Sequence, residues 1–148
     1  MTDRLLDTLK DRGGASAVEF ALLAPILLVL ALGIAQFGIV LNNYVMLTEA
    51  TADGARQLAL SRGSASPYTN TVNAIQNAAN NLTAGNITIT TIVNGTACTS
   101  DATCQTALSS ASGQAASVTA TYPCSLVVMG VNYAPSCTLS ATTQEMIE

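Results

Sequence analysis

Glu19 stands five residues past Gly14, at the mouth of a long apolar run, with Phe20 next to it. An ionised side chain is costly there and calls for a partner. No basic residue supplies one from within the segment, since Arg12 is seven residues back and the next is Arg56. The other reactive set is Cys98, Cys104, Cys124 and Cys137, all after the apolar run. An even number of cysteines there fits two disulfides in an oxidising compartment. There is no CxxC pair and no histidine, which argues against a zinc site. Three pairings are open; the expected one joins neighbours in sequence, Cys98–Cys104 and Cys124–Cys137. Without histidine a serine or cysteine nucleophile lacks its usual base. Asp101 has no second acid nearby in the central part of the chain, and Glu49 with Asp53 reads as a solvated helix face. No phosphate loop or dinucleotide fingerprint occurs, so neither an enzyme nor a bound cofactor is expected.

The elements that carry these residues can be read from the hydrophobic pattern. The chain has 148 residues, 49% of them hydrophobic and 9% charged, with a mean hydropathy of +0.41. The apolar content is concentrated in Ala15 to Leu41, where Glu19 and Gln36 are the strongly polar members. At ~1.5 Å per residue that run crosses a ~30 Å hydrocarbon layer. It is too long for the apolar core of a signal peptide, and no small-x-small site closes it. Arg4, Lys10 and Arg12 precede it and nothing basic comes after it until Arg56. The positive-inside rule therefore keeps the N-terminus in the cytoplasm and exports the chain beyond about Leu41. The net charge is −4 with no basic patch, which excludes a phosphate-backbone partner.

Polarity rises after Leu41, but helical spacing continues: Val45, Thr48, Ala52, Ala55 and Ala59 fall on one face, with Gly63 as a stop. One helix from about Ser16 to Arg62 is expected. Val72, Ile75, Ala79 and Leu82 predict a short helix over Tyr68–Leu82, and "NITITTIVNG" a strand. Cys98 to Gly113 reads as a disulfide-closed loop with one helical turn around Gln105–Ser109. Strands are expected over Ala115–Tyr122, Ser125–Gly130 and Cys137–Gln144. The fold class is α+β: a long N-terminal helix, a membrane span continuing into an exported amphipathic half, then a short helix and a small antiparallel β domain.

"GGASAVEF" resembles the type IV prepilin processing motif: glycine, four residues, glutamate, then an aromatic. With the long apolar run and the later "TEATADGARQLA", the segment from about Arg12 to Leu60 resembles the TadE-like minor pilins, or pseudopilins, of the tight-adherence (Tad/Flp, type IVc) pilus system. The resemblance implies cleavage after Gly14 by a prepilin peptidase, leaving Ala15 as the new N-terminus. It implies that Glu19, with Phe20 beside it, acts in assembly by pairing with the α-amine of a neighbouring subunit. It divides the chain into a cytoplasmic leader 1–14, a transmembrane helix 15–41, an exported continuation 42–63 and an exported disulfide-containing domain 64–148. The implied setting is the bacterial inner membrane, single-pass with the C-terminal domain periplasmic, and with incorporation into a surface pilus as one destination. The implied partners are the peptidase, other pilin or pseudopilin subunits, the Tad inner-membrane assembly platform and the lipid bilayer. The implied work is assembly, priming or capping of a pilus for adhesion or secretion. The alternative is an uncleaved single-pass envelope protein whose exported domain binds a partner or polysaccharide; its N-terminus would be intact and its function independent of Glu19.

Overall fold

A computed structural model describes residues 12–148. Helix α1 runs from Arg12 to Ala59 without a break, 48 residues with Pro25 inside it. At ~1.5 Å per residue it is about 72 Å long. Its two halves meet different surroundings. From Val18 to Val45 the large apolar side chains stand exposed on every side, Phe20 at 67% and Ile34 at 74%. From Leu47 onward one face is buried: Leu47, Ala50, Thr51, Gly54, Ala55, Leu58 and Ala59. That face is rotated from the expected one, because Val45 and Thr48 are exposed and Ala52 is only half-buried. Small and apolar residues occupy several faces of this half, so spacing alone did not select the one that packs. Thr51 is fully buried and satisfied within the helix, its hydroxyl donating to the Leu47 carbonyl at 2.6 Å.

The helix ends three residues earlier than Arg62. The Ser61 N–H turns back to the Leu58 carbonyl, and Gly63 takes φ +82° as the chain leaves. Helix α2, Pro67–Ala78, starts with proline at its first turn and buries Pro67, Thr71 and Ile75. A 3₁₀ turn, Ala84–Asn86, leads to β1 (Thr88–Val93), and β2 (Thr96–Cys98) pairs back onto it. Asn94 and Gly95 between them both have positive φ, 47° and 76°, the turn that a two-residue hairpin favours. Helix α3, Asp101–Ser109, comes next, then β3 (Ala115–Pro123), the two-residue strands β4 (Val127–Val128) and β5 (Val131–Asn132), and β6 (Thr138–Met146).

The main sheet is antiparallel in the order β2-β1-β3-β6. The buried half of α1 packs on β3 and β6. β3 alternates as a half-buried strand should: Ala116, Val118 and Ala120 point to the core, while Ser117 and Thr119 are only half-covered. Across the opposite face the hydroxyls of Thr119 and Thr142 meet at 2.9 Å. The chain's end closes the core: Ile147 is buried, and its N–H bonds the Gln114 carbonyl at 2.9 Å.

The structure corrects two further expectations. Ser125–Gly130 is not a strand of the main sheet; only Val127–Val128 is extended, and it pairs with β5 as a separate hairpin. The segment after Cys98 is not a loop with one helical turn but the nine-residue α3. Ser100 caps α3, accepting from the Thr103 N–H, while the Thr103 hydroxyl accepts from the Ser100 N–H at 3.1 Å. A capping box normally carries Glu or Gln at the third position, and threonine in that place hid the helix.

The disulfides join Cys98 to Cys104 and Cys124 to Cys137, with Cα–Cα distances of 4.9 and 5.0 Å. The first is wholly buried and ties the end of β2 to the opening turn of α3. The same turn holds α2. The Thr69 N–H and hydroxyl donate to the Asp101 carboxylate at 2.9 and 2.7 Å, and the Gln105 amide donates to the Ala65 carbonyl at 2.6 Å. The bonds from the Thr69 N–H and then its hydroxyl hold the Asp101 carboxyl below its usual range, outweighing the opposing effect of partial desolvation. A lowered folded-state value contributes stability that is complete above the unfolded value, about 3.9, and is lost as pH falls through the folded one. Asp101→Asn is therefore expected to lower the melting temperature of the full chain in detergent at pH 7. The gap to the native protein should narrow as pH falls below about 4; a gap independent of pH would mean that the charge on Asp101 adds nothing to the Thr69 tie.

Candidate processing and assembly site

Gly14, Ala15, Glu19 and Phe20 all lie in the first turns of α1. Gly14, Glu19 and Phe20 are exposed, and a Cβ built at Gly14 would meet nothing within 4 Å. Residues 1–11 of the expected leader 1–14 lie outside the described residues. Arg12, Gly13 and Gly14 open the helix, although each glycine costs a helix interior about 1 kcal/mol relative to alanine. Ala15 and Glu19 are four residues apart, so they share a face one turn from each other. Helical side chains lean toward the N-terminus, which aims the Glu19 carboxylate at the level of Ala15.

Of the domain, Met129 lines a cleft with Ala21, the residue after Phe20. The buried core begins at Leu47 and gathers α1, α2, α3 and the sheet around the far half of the helix. Beside the near half lies the β4–β5 hairpin, which sequence reasoning did not foresee. The signal for it was present: Cys124 to Cys137 encloses Leu126, Val127, Val128, Met129, Val131 and Tyr133 with no charged residue. The cysteines do not contribute to the Gly14–Glu19 site; they are structural ties in the domain.

The stretch 42–63 holds a second constraint. Gly54 is buried where α2 crosses α1, and a Cβ there would come within 2.6 Å of the Ile75 Cδ1. Glycine is what lets the two helices approach at this crossing.

Residues 14–56 match the family model described as TadE-like protein. Over this segment the chain is similar to TadE-like proteins. No curated protein and no solved structure matches. The TadE-like segment begins at the expected processing glycine and includes Glu19, Phe20, the apolar half of α1 and Gly54. Within α1, Ser16–Ala59 is long and apolar enough to cross a membrane, which fits a single-pass envelope protein.

The close approach at Gly54 gives a test inside the TadE-like segment. Gly54→Ala should gain about 1 kcal/mol in helix propensity yet lose about 1–3 kcal/mol to overpacking against Ile75, so the melting temperature falls. In an Ile75→Ala background the same change should cost nothing or stabilise. Equal effects in the two backgrounds would show that Gly54 is not there for the helix crossing.

Proposed function

We propose that the protein is a minor pilin or pseudopilin of a Tad-type pilus, cut after Gly14 by a prepilin peptidase and taking part in assembly, priming or capping of the filament for adhesion or secretion. The observation that carries this reading is the division of α1. Its first half, headed by Gly14 and Glu19, is apolar all round and uncovered except beside one hairpin, and its second half is built into a folded domain. Such a helix needs an apolar medium on all sides of one half, either lipid or other helices. A subunit that passes from a bilayer into a helical bundle uses both.

The lysine and arginine distribution supports a cytoplasmic N-terminus in the bacterial inner membrane with the domain in the periplasm. Gly13 and Gly14 weaken the first turn of α1, which favours presenting an extended backbone to a peptidase. Cleavage there removes Arg4, Lys10 and Arg12 together with Asp3, Asp7 and Asp11. It creates one ammonium, on Ala15. In hydrocarbon that ammonium and the Glu19 carboxylate are each costly alone and tolerable as a pair. The amine of the same chain lies one turn from Glu19, and in a stacked assembly the amine of the next subunit competes for it. Pairing across subunits fixes the axial step between helices, with Phe20 packing beside it. The partners in this reading are the peptidase, the other pilin or pseudopilin subunits and the Tad inner-membrane assembly platform. No catalytic role or cofactor belongs to it.

Intact-mass measurement of the protein from its own host tests the reading. The native chain should begin at Ala15, and Gly14→Val should retain all 148 residues. A native chain that still begins at Met1 would refute processing. Glu19→Ala should be cut normally but fall to background in sheared pili, because a buried amine left unpaired costs about 3–5 kcal/mol. Normal incorporation would remove the registration role from Glu19.

A further inference from the structure

The side of α1 turned away from the domain carries a pattern of its own. Glu49, Asp53 and Arg56 follow one another at steps of four and three, with Leu60 four further on, so they share one face. All four are exposed. At ~100° per residue this face lies opposite the buried one, which centres on Leu47, Thr51, Gly54 and Leu58. Toward the membrane the same steps pass through Val45 and Asn42 to Gly38, Ala35 and Ala31, and these too are exposed. None of them lines a cleft with the β4–β5 hairpin. One uncovered line thus runs from the exported half of α1 into its apolar half.

The charges on this line are not used by their own chain. Asp53 and Arg56 are close enough in sequence to pair, yet among the described residues no ion pair joins them. An open cleft of about 470 Å³ separates them from α2, and the α2 wall, Ala74, Asn77 and Ala78, carries no charge. Arg56 is one of two basic residues beyond the expected leader; the other, Arg62, lies past the end of the helix. The charged stretch is bounded by apolar side chains, Val45 at 52% exposure below it and Leu60 at 55% above. Covered by a second surface, those two would shield the charges between them from water.

We propose that this outward face of α1 is where two copies of the chain meet, with Arg56 of each copy held by Asp53 of the other. The charges themselves point to a second copy. A surface that presents an acid and a base three residues apart is complementary to itself when two such helices run parallel. Identical spans also hold Asp53 and Arg56 of every copy at the same height above the bilayer. The two levels differ by about 4.5 Å at ~1.5 Å per residue, which an arginine side chain spans. Its guanidinium can give two N–H bonds to one carboxylate, and Glu49, one turn below Asp53, adds a second acid within reach. A partner of any other sequence would need the same charges at the same spacing and height. Nearer the membrane Gly38, Ala35 and Ala31 let two helices approach closely, and a Cβ built at Gly38 would meet nothing within 4 Å. The inference rests on the proposed reading in one respect: that copies stand parallel in one membrane.

Charge exchange in the full chain, in its own host and membrane, tests this. Two differently tagged copies are co-expressed, extracted in mild detergent and purified through one tag. When both carry Arg56→Asp, recovery of the second tag should fall about tenfold or more, because like charges then face each other. The same loss is expected when both carry Asp53→Arg. One copy with Arg56→Asp and the other with Asp53→Arg should restore recovery, since each acid again meets a base. Undiminished recovery in either matched pair would overturn the inference. Loss without restoration in the mixed pair would overturn it too, and would give the face to a different protein. A second measurement leaves the domain untouched: with Asn42→Cys in both copies, oxidation by copper phenanthroline should join the two tags through that position. Absence of that adduct would also count against the pairing and defeat it. N-terminal mass keeps the two proposals apart. Restored pairing between chains that begin at Met1 leaves this face standing without the processing claim, whereas mature Ala15 chains that do not pair defeat this face alone.

Discussion

The governing constraint is that a single unbroken helix serves two solvents. Every backbone N–H after the first turn of α1 finds its carbonyl within the helix, apart from the place that Pro25 occupies. The backbone therefore needs nothing from its surroundings, and the side chains alone decide what each half can touch. Up to Val45 they are apolar on every side, and from Leu47 they are small and apolar along one face. The domain accordingly forms around the second half and leaves the first free for another medium. The sheet, α2 and α3 take their positions from the buried face of α1. The most demanding contact is at Gly54, where the absence of a side chain sets how closely α2 can approach.

Legibility in the sequence tracked how local the cause was. The long helix, the second helix and β1 arise from short-range pattern, and the structure contains all three, whereas the pairing of β2 across the Asn94–Gly95 turn was not read. The disulfide pairing was legible too, because each bond closes a short loop. What failed depended on distant partners. The packed face of residues 42–63 was misplaced because Leu47, Ala50 and Gly54 are chosen by α2 and the sheet, which helical periodicity does not register. α3 was missed because its N-terminus is held by Thr103 in an unusual capping role and by Asp101 reaching Thr69, 32 residues away. At the candidate processing and assembly site, Gly14 and Glu19 could be named from the sequence because their spacing is itself the motif, and both fall in the segment that the family model matches. The hairpin beside α1 was not, since no local pattern says where Cys124–Cys137 will lie.

The two disulfides act differently although their Cα–Cα distances nearly agree. Cys98–Cys104 is buried at a junction where β2 ends, α3 begins and α2 is tied down through Asp101. That junction has few large apolar residues, and the polar bonds around it are exposed. A covalent bond there substitutes for core that a domain of this size cannot supply. Cys124–Cys137 sits at the base of a hairpin that is off the main sheet and has two paired positions of its own. A free two-strand hairpin is marginal in water, and this bond, with the Cys124 N–H on the Cys137 carbonyl at 3.0 Å, keeps it in register.

Charge placement ties these features together. After Arg62 the chain carries Asp101, Glu145 and Glu148 as its charged residues, and Asp101 is engaged at the surface by Thr69. The domain surface is mostly hydroxyl and amide groups, which can be covered by another subunit without stripping water from an ion. Within Ala15–Leu41, Glu19 is the one ionisable side chain. In the proposed assembly, a subunit arranged this way would meet its neighbours through neutral surfaces almost everywhere. Axial register then has to be set by something sharper than apolar contact, which slides at little cost along a helix that is alike on every side. In the proposed pilin reading, a single Glu19 carboxylate facing a single Ala15 ammonium would supply that sharpness, because a shift of one helical turn would leave both charges unpaired in a medium that penalises each.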